Sequence, residues 1–328
     1  MAIMMWTLRF SQRPFFVLRY YRPARLCKDP RKESNLLFRL FLVTSLLVSL
    51  PATPVVVSQQ NKTAESLPTN LLKRTTTRRE TRRFAFGGTV TVIGAPRGAV
   101  TIEGWSRNEV ELVANIELNA PTEADLDQLA TVNSFVFDED LNHLSVLTTG
   151  THDRAYLKKV AKNFPKKLLN LPWKIDYKLR VPVNTDLELN TGYGPVKVTA
   201  VEGALRISAT ESETALTLTG GLVSTTVTAG VVTLTVPARS WRGGGAEIRL
   251  ATGIVNVDLP PGFNGDIDAD ILRTGKIVNN HDGLASREKP GITERTVRAR
   301  AGTGGAFFKF TVGDGTVNIR KTAQSPGQ

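Results

Sequence analysis

From Phe84 onward the chain alternates apolar and polar residues with a period of two. Val90 and Val92, then Val100 and Ile102 beyond Gly94 and Gly98, then Val110, Leu112 and Ala114 share one side, with Thr and charged residues on the other. β-Branched side chains at alternate positions, punctuated by glycine, predict half-buried strands. One interruption reads as a short helix. Pro121-Thr122 followed by Asp125 has the spacing of a capping box, and Leu126, Leu129, Ala130 and Val132 make one apolar stripe. Strands resume at 134–137 and 144–147.

The second half repeats itself. Apolar pairs two residues apart recur at Leu187/Leu189, Val196/Val198, Leu205/Ile207, Leu216/Leu218, Val232/Leu234, Ile248/Leu250 and Val255/Val257. Turn elements travel with them at Thr191-Gly192, Thr210-Glu211, Thr228-Ala229-Gly230, Thr252-Gly253 and Thr274-Gly275, in steps of 19, 18, 24 and 22 residues. A self-similar period near 20 predicts an all-β fold of the β-solenoid or single-stranded β-helix type, each unit covering the exposed edge of the last. Residues 214–238 carry no charge at all. Such a β-rich stretch is safe from aggregation only with strands paired on both sides, which places it mid-stack. A coarser echo relates Val181-Pro182 and its following strand to Leu259-Pro260-Pro261-Gly262 and Ile267-x-Ala269, suggesting two halves of one elongated body.

These motifs carry a resemblance. Residues 179–210, with Val181-Pro182 opening onto Leu187-x-Leu189 and then the step Val201-Glu202-Gly203-Ala204-Leu205, resemble the repeat of a bacterial family of cell-envelope proteins labelled putative adhesins, β-strand-repeat domains of unknown function. Gly98-Ala99-Val100-Thr101-Ile102-Glu103-Gly104-Trp105 is similar to that family's opening segment, and Phe310–Ile319 to its final rung. The likeness spans roughly 84–321. It implies a solenoid-like fold and an envelope location, and no reaction, cofactor or catalytic residue. Glu211-Ser212-Glu213 departs from the pattern by replacing a glycine turn, and residues 151–176 form an insertion.

Composition sharpens this picture. Of the 328 residues 41% are hydrophobic, enough for a core, and one Cys and three His exclude a disulfide scaffold or the usual structural zinc site. The net charge of +12 divides unevenly: +7 in residues 1–39, none in 40–58, +5 in 59–83, and zero from Phe84 on. A nucleic-acid-binding domain needs its basic footprint on the fold, so a nucleic-acid partner is rejected. Residues 1–58 read as a basic leader and an apolar signal peptide cut near Ser58; alternatively, 40–57 stays as a membrane anchor. Cys27 precedes the apolar run, which excludes a lipidated N-terminal cysteine, and Asn61-Lys62-Thr63 fits a glycosylation pattern. Residues 59–83 read as a solvated basic linker, 84–150 as an N-terminal β segment, 177–321 as the repeat region and 322–328 as a tail.

Candidate chemistry is sparse. Between Arg154 and Lys178 eight Lys/Arg stand against Asp176 alone, with Leu157, Val160, Ala161 and Phe164 at helical spacing and Leu168, Leu169, Leu171 and Trp173 after Pro165. Lys158, Lys159, Lys162, Lys166, Lys167 and Trp173 are therefore a candidate patch for an anionic polysaccharide or membrane surface; the plainer reading is a cap with solvated lysines. Asp266-x-Asp268-x-Asp270 looks like a calcium loop, but Ile271 stands where glycine is required and Ile277 where the closing Glu belongs. A solvated strand face is the alternative. A carbohydrate-active β-helix enzyme would gather Asp266, Asp268, Asp270, Arg273 and Lys276 in one groove. His143, His152 and His281 lack nucleophile neighbours, Gly243-Gly244-Gly245 precedes no helix, and Gly313-Asp314-Gly315 reads as a turn. The expectation is a non-enzymatic, exported envelope protein without cofactor, the alternatives being that enzyme or a membrane-anchored sensor.

Overall fold

The computed structural model describes residues 71–322. The leader, the 40–57 stretch, Cys27, Asn61, linker residues 59–70 and most of the tail lie outside the described residues. The described chain is all-β apart from two short helices. In order come β1 (Leu72–Arg83), β2 (Thr89–Arg97), β3 (Val100–Trp105), β4 (Glu109–Ala120), helix α1 (Glu123–Val132), β5 (Ser134–Asp140), β6 (His143–Thr149) and helix α2 (Arg154–Val160). A 3-10 turn at Lys166–Leu168 precedes β7 (Trp173–Pro182), β8 (Asp186–Tyr193) and β9 (Val196–Thr199). The long strands β10 (Ala204–Thr217), β11 (Gly220–Thr235) and β12 (Arg242–Leu259) follow. The chain finishes with β13 (Gly265–Ile271), β14 (Gly275–Asn280), β15 (Leu284–Ser286), β16 (Thr296–Ala301) and β17 (Phe307–Lys321).

Two hydrogen-bonded ladders run through one seventeen-stranded sheet. The first passes through β5, β6, β2, β8, the leading halves of β10, β11, β12 and β17, then β13, β16 and β15. The second passes through β1, β4, β7, β3, β9, the trailing halves of the same long strands, then β14. Pairing is parallel from β6 to β13 and from β7 to β14; antiparallel pairs finish every end except that at β14. Every apolar pair of the repeat is buried, from Leu187 and Leu189 through Val255 and Val257. The uncharged stretch falls on β10 and β11, each with a strand on both sides.

The stacking order departs from the chain order at both ends. β2 lies between β6 and β8, and β3 between β7 and β9. The segment that resembles a final rung, β17, is not terminal: it lies between β12 and the β13/β14 pair. Periodicity reports that neighbouring strands pair, but not which ones.

The bend in the long strands and between the shorter strand pairs beside them is a column of glycines. Gly98, Gly194, Gly230, Gly253, Gly315 and Gly275 have φ of +134°, +140°, +130°, +138°, +146° and +128°. Ser212 occupies the β10 place in register with Gly230. One rung's corner is also tied by charge. Asp314 accepts from Arg273 Nε at 2.8 Å and from Thr274 Oγ1 at 2.7 Å. Arg273 first, then Thr274, pull its carboxyl down from the ordinary 3.8 to about 2. A depressed folded-state pKa means the stabilisation is complete above the ordinary value and is lost as pH falls through about 2. Asp314→Asn should therefore melt below the parent at neutral pH, with the gap closing in acid. An equal gap in melting temperature at pH 7 and pH 2 would contradict this reading of the corner.

Strand β1 corrects the linker expected for 59–83: from Leu72 onward that stretch pairs with β4 along its whole length. The folded part thus carries six further Lys/Arg against Glu80 alone, rather than being neutral. Its cations are largely matched. Lys73 meets Glu117 at 2.9 Å, Arg74 meets Glu123 and Asp127 at 2.6 and 2.7 Å, and Arg78 lies 4.3 Å over the Phe135 ring. Thr suits a strand, and a charged edge resists edge-to-edge pairing. What looked like a tether is a guarded edge.

Helix α1 begins as expected: Asp125 N–H donates to Thr122 Oγ1 at 3.1 Å, and the Thr122 hydroxyl donates to the Asp125 carboxylate at 2.8 Å. Leu126, Leu129 and Val132 are buried, whereas Ala130 faces solvent.

Candidate functional site

The basic insertion is held to the body by its apolar residues. Asp153 caps α2, accepting from the N–H groups of Ala155 and Tyr156 at 2.9 and 3.0 Å. Those bonds, Tyr156's first, hold its carboxyl below the ordinary range. The helix stops at Val160, so the spacing of Leu157, Val160, Ala161 and Phe164 does not become one apolar face: Leu157 is buried and Val160 is 57% exposed. Pro165 opens the 3-10 turn, which drives Leu168 inward, and Leu171 follows it into the core.

Six residues were candidates for one patch, and the structure separates them. Lys158, Lys159, Lys162 and Lys166 are exposed. Lys167 is not free to serve: its Nζ lies 2.9 Å from Asp125 at the start of α1. That ion pair, reinforced by Thr122, lowers the Asp125 carboxyl, and it pins the insertion to α1. Trp173 is a core residue rather than an exposed platform. Only 8% of it is accessible, and its indole N–H donates to the buried Thr151 hydroxyl at 2.8 Å. Its short distance in sequence from the lysines suggested partnership, but β7 turns its ring inward.

The acidic triplet also resolves differently from both expectations. β16 lies antiparallel beside β13 and supplies Arg298 and Arg300. Arg300 Nε meets Asp266 at 2.7 Å, Arg287 meets Asp268 at 2.8 Å, and Arg298 reaches both oxygens of Asp270 at 2.9 and 3.0 Å. Arg300 lowers the Asp266 carboxyl, while burial raises that of Asp268 despite Arg287 and Arg298 nearby. The triplet is an ion-pair ladder. Arg273, the fourth member of the imagined catalytic groove, is paired with Asp314. Among the described residues no three His, Cys, Asp or Glu side chains gather as a metal site.

Sequence reasoning missed a cleft of about 430 Å³ beside the insertion. Its walls come from the β2 corner (Pro96, Arg97), the loop after β6 (His152), the run into β7 (Asn170, Trp173) and the end of β8 (Tyr193). Arg97 and Tyr193 are cross-strand partners, and the guanidinium lies 5.9 Å from the ring centroid. Tyr193 is half exposed. His152 packs on Trp173 at 5.4 Å, and burial lowers its pKa against the opposing pull of Asp153. Four separate stretches build the cleft, so no local motif announces it.

No family model matches the chain, and no curated protein does either. Among solved structures it is similar to a "putative cell adhesion protein" from Clostridium sporogenes, at 12% identity and a TM-score of 0.39, covering 75% of this chain and 100% of that one. It is also similar to a "putative adhesin" from Bacteroides fragilis, at 10% identity and TM-score 0.26, over 75% and 97% of the two chains. A "putative lipid binding protein" from Parabacteroides distasonis aligns at 11% identity and TM-score 0.24, over 74% and 96%.

Proposed function

We propose that this chain is an exported, non-enzymatic envelope protein that holds an anionic polysaccharide against its lysine-bearing insertion, on a solenoid-like frame of stacked rungs. The observation that supports it most is the division of labour within the insertion. Leu157, Leu168 and Leu171 are buried, so the segment is docked, while Lys158, Lys159, Lys162 and Lys166 project from it. A helix that sinks into a bilayer presents its apolar face outward beneath its cations. Here that face is mostly turned into the protein, which favours a polymer with spaced anionic groups over a membrane. The ladders give the patch a rigid base, because β6 and β7, which flank the insertion, are each hydrogen-bonded on both sides.

The test replaces Lys158, Lys159, Lys162 and Lys166 together by Gln. The melting temperature should stay within about 2 °C of the parent, since these side chains are solvated. Retention on immobilised polygalacturonate should fall at least about tenfold at low salt, and the parent's retention should weaken as salt screens the contact. Undiminished retention of the quadruple variant would refute the reading, as would parent binding that ignores salt. Lys167→Gln should behave differently, lowering the melting temperature because it unpins α1.

A further inference from the structure

The lysines explain attraction to a polyanion but not which sugar it contains; that discrimination needs a shaped site. The cleft beside the insertion has the required features. Its volume of about 430 Å³ fits one or two sugar rings. Its polar side chains, Arg97, Asn170, His152 and Tyr193, are supplied from four different elements. Among the described residues none of these four side chains is hydrogen-bonded to another protein group, whereas Arg74 of β1 and Arg298 and Arg300 of β16 are matched with carboxylates. Several uncommitted polar side chains lining one cleft are what a polar ligand would satisfy.

The chemistry of the walls selects the ligand. Tyr193 offers an aromatic face of the kind that stacks on the C–H side of a pyranose, with its hydroxyl left for the ring substituents. Arg97, whose guanidinium lies 5.9 Å over that ring, presents a fork suited to a carboxylate. No acid lines this cleft. On the other side of Tyr193 a second recess of about 400 Å³ contains Glu211 and Glu213. A carboxylate is therefore drawn to the Arg97 side and repelled from the other, which orients the sugar across the ring.

We infer that the cleft bounded by Arg97, Tyr193, His152 and Asn170 is a binding subsite for a uronic acid unit of an anionic polysaccharide, Arg97 receiving the carboxylate and Tyr193 the sugar face. This deepens the polysaccharide reading and rests on it. The lysines then act as a non-selective electrostatic rim, and the cleft reads the sugar.

The probe is trigalacturonic acid, titrated calorimetrically into the purified full chain, with its methyl ester as the uncharged counterpart. The acid should bind saturably, and the ester at least about tenfold more weakly, the scale of one lost charge-assisted hydrogen-bonded contact. Arg97→Ala and Tyr193→Ala should each weaken the acid at least tenfold with unchanged melting temperatures; Arg97→Lys should recover only part of the loss. The four-lysine Gln variant should keep the preference for acid over ester, which the cleft sets, whatever it loses in overall attraction to the anion. Equal binding of acid and ester, or of parent and Arg97→Ala, overturns the subsite. So does a parent that is retained on polygalacturonate by its lysines but shows no saturable trimer binding, and in that case the broader reading survives. A parent retained on neither form of the ligand takes both down.

Discussion

A chain ending after Gly305, lacking β17, should fail to reach a cooperative fold and should accumulate as insoluble material. The deleted strand is an interior one. It is hydrogen-bonded to β12 on one side and to β13 and β14 on the other, so its loss opens two long edges at once. It also removes Phe308, Phe310, Val312, Val317 and Ile319, all essentially inaccessible. Phe308 alone packs edge-on against Trp241 at 5.3 Å and Phe263 at 5.4 Å. Five such side chains at about 1.5–3 kcal/mol each amount to roughly 7–15 kcal/mol, as much as a whole domain's stability. The exposed edges, flanked by the uncharged run of β11, would then pair between molecules. A soluble truncated chain with the parent's unfolding midpoint would contradict this topology. The same non-local insertion of β2/β3 and β17 predicts slow folding, since both strands must close long loops before they pair.

Gly253→Ala should lower stability by about 4 kcal/mol or more, an outlying value for one methyl group. Two effects act together. At φ +138° an L-residue other than glycine is strained, which costs about 1–3 kcal/mol. In addition the new Cβ would sit 1.9 Å from the carbonyl oxygen of Gly230 in the adjacent rung. That contact involves backbone on both sides, so relief means parting β11 from β12. Gly230 and Gly315 stand in the same relation to their neighbours, with clashes at 2.1 and 1.8 Å. Thr252→Ala, one residue away and exposed, is the control and should cost under about 0.5 kcal/mol. Denaturant midpoints of the two variants check the pair; equal midpoints would mean that the rungs do not approach at this corner.

The apolar pairs two apart placed the core correctly because strand burial is a local, periodic property. The corners were half legible. Thr252-Gly253, Thr274-Gly275 and Thr228-Ala229-Gly230 contain true corner glycines, but Thr191-Gly192 precedes the corner, which is Gly194. Thr-Gly marks a bend without fixing the residue that takes positive φ. Rung order was not legible, since β17 and a terminal strand share the same alternation. β1 was hidden by its charges: a segment of Thr and Arg reads as solvated until β4 and α1 supply Glu117, Glu123 and Asp127. The Asp266–Asp270 triplet looked like a cation site because its partners, Arg287, Arg298 and Arg300, are remote in the chain. For the same reason the four exposed lysines could be picked out, Lys167 and Trp173 were wrongly grouped with them, and the Arg97–Tyr193 cleft was invisible.

Everything above depends on successive rungs lying side by side in parallel register. Spin labels on cysteines placed at Glu188 and Lys309, with Cys27→Ser, measure that directly. These positions lie in one column through Arg206, Ser224 and Glu247. Four strand spacings put their backbones about 19 Å apart, so one narrow distance peak near that value is expected. A peak beyond about 30 Å, or a broad distribution, would be incompatible with four in-register steps of that spacing and would contradict the stacked arrangement.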